Sequence, residues 1–125
     1  MPATPGQQSE PGIIILYRFG ADLFYANAAR FADELRALVD DAPVPVSWVI
    51  IEANAITDLD YIAARVVLAL IDELARRNIE IAFARVCPSL RADIDRHRVT
   101  TAIGSDKLFA KRHEALAEAR TSAKT

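Results

Sequence analysis

The stretch WVIIEANAITDLDYIAARVVLALIDELARRNIEIAFARV, Trp48 to Val86, decides the fold. Its opening, part of VSWVIIEA, is a β-branched apolar run of the kind a central strand carries when both of its faces are covered. Beyond the elbow NAITDLD, Ile62, Val66, Leu70 and Leu74 recur at i+4, and Ala63, Val67 and Ile71 widen the stripe, which predicts a helix packed over much of its circumference. Asp72 with Arg76 and Glu73 with Arg77 stand in acid-first i,i+4 order on the outer edge, and Asn78 suits the left-handed residue that ends a helix. IEIAFARV then reads as a further long strand. Strand, helix and strand in succession are the unit of a parallel sheet.

On the N-terminal side, GIIILYRF lies between Pro11-Gly12 and Gly20-Ala21-Asp22 and predicts a buried strand from about Ile13 to Phe19, with a short second strand at Leu23 and Phe24. ANAARFADELRALVDD places Phe31, Leu35, Leu38 and Val39 on one helical face, with Asn27 as N-cap, and Pro43 and Pro45 close that helix. On the C-terminal side, Pro88 suits the start of a helix over SLRADIDRH, where Leu90 and Ile94 lie one turn apart. Gly104-Ser105 breaks the chain before a short KLF segment and a last helix, AKRHEALAEA, that carries Leu116. The proline-rich opening MPATPGQQSEP buries too little to repay its ordering. The expected organisation is a flexible tail at 1–10, one α/β domain at 11–120 and a C-terminal tail at 121–125, with a small, mixed, mostly parallel sheet.

Composition excludes several classes. With 52% hydrophobic and 26% charged residues in 125, the chain has the balance of a soluble domain that buries a core. A formal charge of −2 lacks the basic stripe of a nucleic-acid binder. No apolar run approaches the ~18–20 residues that span a bilayer. The single Cys87 cannot form an internal disulfide, and no signal-like segment opens the chain, so a reducing cytoplasm is expected.

Candidate chemistry falls on loops, because ligands of open parallel sheets gather beyond the carboxyl ends of the strands. Three loops qualify: GADLFYAN, NAITDLD and RVCPS. Thr57-x-x-Asp60 matches a capping box at the start of the long helix. Asp58 and Asp60 supply too few oxygens for a calcium site and have no nucleophile beside them in sequence, so neither metal binding nor catalysis is expected. His97 and His113 stand on different predicted helices without ligand spacing, and Cys87 precedes Pro88 at a turn. No glycine pattern of a phosphate-binding loop occurs.

The blocks YRFGADLFYANA and ITDLD with its following A, L, L and ELARR, extended over about Pro11 to Ala119, resemble the STAS domain at the cytoplasmic C-terminus of sulfate-permease (SulP) transporters. The resemblance implies the anti-sigma factor antagonist fold, a small mixed sheet with about four helices largely on one side. It implies a non-enzymatic regulatory domain at the cytoplasmic face of the plasma membrane. Its partners would be the transmembrane domain of the parent transporter, other STAS domains or cytoplasmic regulators, and the isolated domain would be a monomer. The alternative is a free-standing anti-sigma factor antagonist that binds an anti-sigma factor kinase. In the antagonists an aspartate precedes a phosphorylated serine or threonine; with that aspartate aligned on Asp60, the acceptor-equivalent position is Tyr61, and the acceptor is lost. The family also implies guanine nucleotide (GTP or GDP) as a ligand. The residues the resemblance points to are Asp22, Phe24, Tyr25 and Asn27 from the first loop, with Asn54, Thr57, Asp58 and Asp60 from the second.

Overall fold

Residues 7–10, 13–18, 27–54 and 56–123 are described by the structure, a computed structural model. Strand β1 (Gln7–Glu10) pairs antiparallel with β2 (Ile13–Arg18). Parallel to β2 follow β3 (Trp48–Glu52), β4 (Glu80–Ala84) and β5 (Leu108–Phe109), side by side in chain order. The helices are α1 (Ala28–Asp40), α2 (Tyr61–Arg76), α3 (Pro88–Arg96), α4 (Val99–Ile103) and α5 (Arg112–Ala123). Because parallel crossovers are right-handed as a rule, a strand order that advances without reversal puts the crossover helices on one face. The expected mixed α/β sheet, with helices largely on one side, is the fold observed.

Alternation along β3 and β4 divides the core in two. Val49, Ile51, Ile81 and Phe83 face α1 to α4, meeting Phe31 and Leu35 of α1, Val67, Leu70 and Leu74 of α2, Leu90 and Ile94 of α3, and Val99 of α4. Trp48, Ile50, Ala82 and Ala84 face the other way, with Ile13, onto α5. Because both faces are covered, every residue of β3 is buried, which is why its sequence is continuously apolar as far as Glu52. The helix α5 meets its face through Ala115 and Ala119, not Leu116, which is only partly buried. Alanines on both surfaces allow helix and sheet to approach closely.

The end of α2 follows its sequence signals closely. Asn78 is left-handed (φ 60), the Asn78 N–H donates to the Ala75 carbonyl at 3.0 Å and the Ile79 N–H to the Leu74 carbonyl at 2.9 Å. Buried Ile79 and Leu74 supply the apolar contact that accompanies this pair of bonds.

Several expectations are corrected. Gln7–Glu10, placed by composition in a tail, is an edge strand; a polar stretch suffices there because pairing uses the backbone. The helix α5 continues through Thr121 to Ala123, into the segment read as a C-terminal tail. The short helix α4, unforeseen in the sequence, follows Arg98. Ile62, assigned to the core stripe, is 50% exposed, because the first turn of α2 extends past the sheet-facing cluster. The Glu73–Arg77 pair is replaced by two bridges to α1: Arg36 donates to both Glu73 oxygens (3.1 and 2.9 Å), and Arg77 to Asp40 (2.8 Å). Asp72–Arg76 forms as expected at 2.9 Å. The short strand proposed at Leu23 and Phe24 lies outside the described residues.

Candidate functional site

The loops after β3 and β4 meet at the carboxyl end of the sheet. The Ser89 hydroxyl donates to the Thr57 carbonyl at 2.9 Å, and the Cys87 thiol lies 3.7 Å from the Ile56 carbonyl oxygen. From α3, buried Asp93 accepts the Leu59 N–H at 3.0 Å across 34 residues of sequence. The parallel strands contain no reversal of order, so the topology offers none of the crevices that a reversal opens in larger α/β sheets. Loop bonds to loop instead.

Asp60 is the N-cap of α2. Its Oδ1 accepts the Ala63 N–H at 2.8 Å while its backbone is extended (φ −80, ψ 171). The expected capping box is therefore corrected: Thr57 lies three residues before the cap, and its hydroxyl donates to Asp58 at 3.3 Å. Asp60→Ala should cost about 1 kcal/mol in urea unfolding, and Asp60→Asn, an equally good cap, much less. An equal loss from both would show that the cap is not the source.

Among the sequence-nominated residues, Asn54, Thr57, Asp58 and Asp60 share this one loop, and Asn54, Thr57 and Asp58 are exposed. Asn27 occupies the N-cap position of α1, where its carbonyl accepts the Phe31 N–H at 3.0 Å, although its side chain makes no capping bond. Asp22, Phe24 and Tyr25 lie outside the described residues. Tyr61 opens α2 and is 58% exposed; its hydroxyl accepts from Arg65 at 3.2 Å, and its ring centroid lies 6.0 Å from that of His97.

Two acids escaped the sequence reading. Glu52, 4% exposed, accepts the Asn54 N–H through Oε1 at 3.3 Å, and its Oε2 lies 3.9 Å from Arg85 without a hydrogen-bond partner among the described residues. A carboxylate closing an otherwise apolar, doubly covered strand is the signal that marks it. Asp93 carries no comparable signal, since it stands among the other charged residues of α3. Cys87 stands at the N-cap of α3 with Ser89 Oγ at 3.3 Å; hydrogen bonding from Ser89, then from the Leu90 N–H, holds the thiol pKa below its ordinary value. Ser89 has one hydroxyl hydrogen, so it serves the thiolate only by leaving the Thr57 carbonyl. Among the described residues, no three His, Cys, Asp or Glu side chains gather as metal ligands, and no helix is long and apolar enough to cross a membrane.

A mixed sheet covered by four helices on one face, with an aspartate-capped and exposed first turn of α2 at the strand ends, is the mixed α/β architecture of a STAS-type domain. The chain belongs to the STAS domain family, whose model matches residues 6–115. It is 33% identical over 105 residues to the probable sulfate transporter Rv1739c of Mycobacterium tuberculosis. That match takes in 84% of this chain and 19% of the relative, so the chain spans about a fifth of the relative's length.

Solved structures agree on the fold. A sulfate transporter family protein from Wolinella succinogenes superposes with TM-score 0.78 at 18% identity, over 95% of this chain and 93% of the other. The SulP transporter STAS domain from Vibrio cholerae gives 0.74 at 13%, over 94% and 88%. The murine Slc26a9 anion transporter, in its inward-facing state, gives 0.77 at 16%, over 91% of this chain and 18% of that one.

Proposed function

We propose that this chain is the regulatory STAS domain of a SulP-type sulfate or other anion transporter. It acts without catalysis from the cytoplasmic face of the membrane, through contacts with the transmembrane part, another STAS domain or a cytoplasmic regulator. The observation that carries this reading is the 33% identity to a probable sulfate transporter over nearly the whole described fold, from a chain one fifth as long. The site is in keeping with it: among the described residues, the chemistry at the strand ends is a cap, loop-to-loop bonds and exposed polar groups. On its own the domain is a monomer, and a weak ligand at the loops biases its contacts.

That ligand is GTP or GDP, held between Asn54, Thr57, Asp58 and Asp60 and the first loop with Asp22, Phe24, Tyr25 and Asn27. Affinity is weak because Asp58 and Asp60 face the phosphates with like charge. Titrating GTP or GDP into isotope-labelled protein is expected to move the amide peaks of Asn27, Asn54, Thr57, Asp58 and Asp60 at millimolar ligand. Peaks that stay in place remove the nucleotide from the proposal and leave the transporter assignment standing. Deleting the domain from the full transporter and measuring sulfate uptake tests that assignment separately; unchanged uptake and regulation sink it.

A further inference from the structure

Beside α2, running from its first turn, lies a groove of about 510 Å³ between that helix and the α3–α4 junction. Tyr61, Arg65 and Leu68 form one wall; Arg96, His97 and Arg98 form the other. We propose that this groove binds a small soluble phosphate monoester with a flat organic body, a site independent of the loop ligand above.

Charge is the first ground. Three arginines line one concavity of a chain whose net charge is −2, so the cations are gathered locally rather than spread. Arg96 is matched by Asp93. Arg65 bonds only the Tyr61 hydroxyl and lies over that ring at 5.9 Å, and among the described residues neither Arg65 nor Arg98 forms an ion pair. Two arginines without an acidic partner leave positive charge along one groove, and a phosphate dianion carries enough negative charge to offset both. A sulfate ester, with one negative charge, would neutralise only one of them.

Shape is the second ground. The volume falls within the roughly 300–1,000 Å³ of small-molecule sites and far exceeds the needs of one oxyanion. The remaining surface is suited to an organic body: Leu68 is partly buried in the main core, and Tyr61 and His97 present tilted rings at 6.0 Å separation. Presentation of Arg98 is the third ground. Its backbone is left-handed (φ 67), a conformation unfavourable for arginine, yet it is tied down on both sides. The Arg98 N–H donates to the Asp95 carbonyl, and the Asp95 carboxylate receives Thr100 and Arg91. That turn holds an arginine at the groove where asparagine or glycine would be the easier choice.

The test uses the chain itself, isotope-labelled, with phenyl phosphate at constant ionic strength. Saturable movement of the Tyr61, Arg65, Leu68, His97 and Arg98 peaks is expected, with binding at least fivefold tighter than inorganic phosphate. Arg65→Gln and Arg98→Asn should each weaken phenyl phosphate at least fivefold. Asparagine tolerates the left-handed backbone, so the second variant removes the charge and keeps the turn; its amide spectrum verifies that it is folded. Movement confined to the 54–60 loop, equal affinity for inorganic phosphate, or unchanged affinity in a folded Arg98→Asn protein would overturn the proposal.

Discussion

Replacing Phe31 with alanine is expected to lower the unfolding free energy by about 3–5 kcal/mol, the largest effect of any single change considered for this domain. The ring is fully buried, and it belongs to the cluster in which α1 meets α2 and the sheet through Leu35, Val49, Ile51, Leu70 and Leu74. Removing it loses its transfer free energy and leaves a cavity that close-packed neighbours fill only in part. For a domain of this size, roughly 4 °C per kcal/mol converts the loss to a fall of about 12–20 °C in Tm. Phe31→Leu keeps most of the volume and should lose less than half as much. Urea unfolding with an unchanged m-value measures both; a loss below about 1 kcal/mol for Phe31→Ala would mean that α1 is not anchored as the packing indicates.

The same residue shows what the sequence makes legible. Phe31, Leu35 and Val39 repeat on one face, and that face is the buried one. The βαβ unit from Trp48 to Ala84 is legible for the same reason: its periodicities are long, and the stop at Asn78 has a backbone cause. Interactions set by a neighbouring element are not legible. Spacing within α2 pairs Glu73 with Arg77, but Arg36 and Asp40 on α1 lie closer to hand, and the Arg36 Nε–H is shared between both Glu73 oxygens. These bridges are partly exposed and contribute at most about 1 kcal/mol each, so the exchange alters orientation more than stability. The edge strand β1 escaped notice because backbone pairing needs no hydrophobic pattern. The helix α5 was located, but its burial through Ala115 and Ala119 depends on the small residues opposite, Ala82 and Ala84.

The candidate site divides along the same line. Asp60 as an acid at the start of α2 is readable from local order, although the N-cap position is Asp60 itself and Thr57 lies three residues before it. The groove beside α2 was not readable, because Arg65 and Arg98 stand far apart in the chain and are joined only by the docking of α3 and α4. The family resemblance directed attention to the loops, and the cationic chemistry lies one helix face away.

Asp93 is the second position where a large effect is expected. It is the buried acid of α3, 8% exposed, and it fastens the loop that precedes α2 by accepting the Leu59 N–H at 3.0 Å. Leu59 is itself buried, so its N–H has little water to turn to. Asp93→Ala should cost about 2–3 kcal/mol, combining a lost charge-assisted hydrogen bond with a donor left unsatisfied. Asp93→Asn keeps an acceptor for Leu59 while giving up the charge that holds Arg96, and should cost about half as much. Hydrogen exchange separates this account from a general weakening. The Leu59 amide should lose protection in Asp93→Ala well beyond what the global destabilisation predicts, while amides in β3 lose only the global share. Uniform loss across both regions would mean that Asp93 supports the fold at large and does not specifically secure the loop. A specific loss at Leu59 ties the loop that precedes α2 to α3, the helix that also carries Arg96 to the groove.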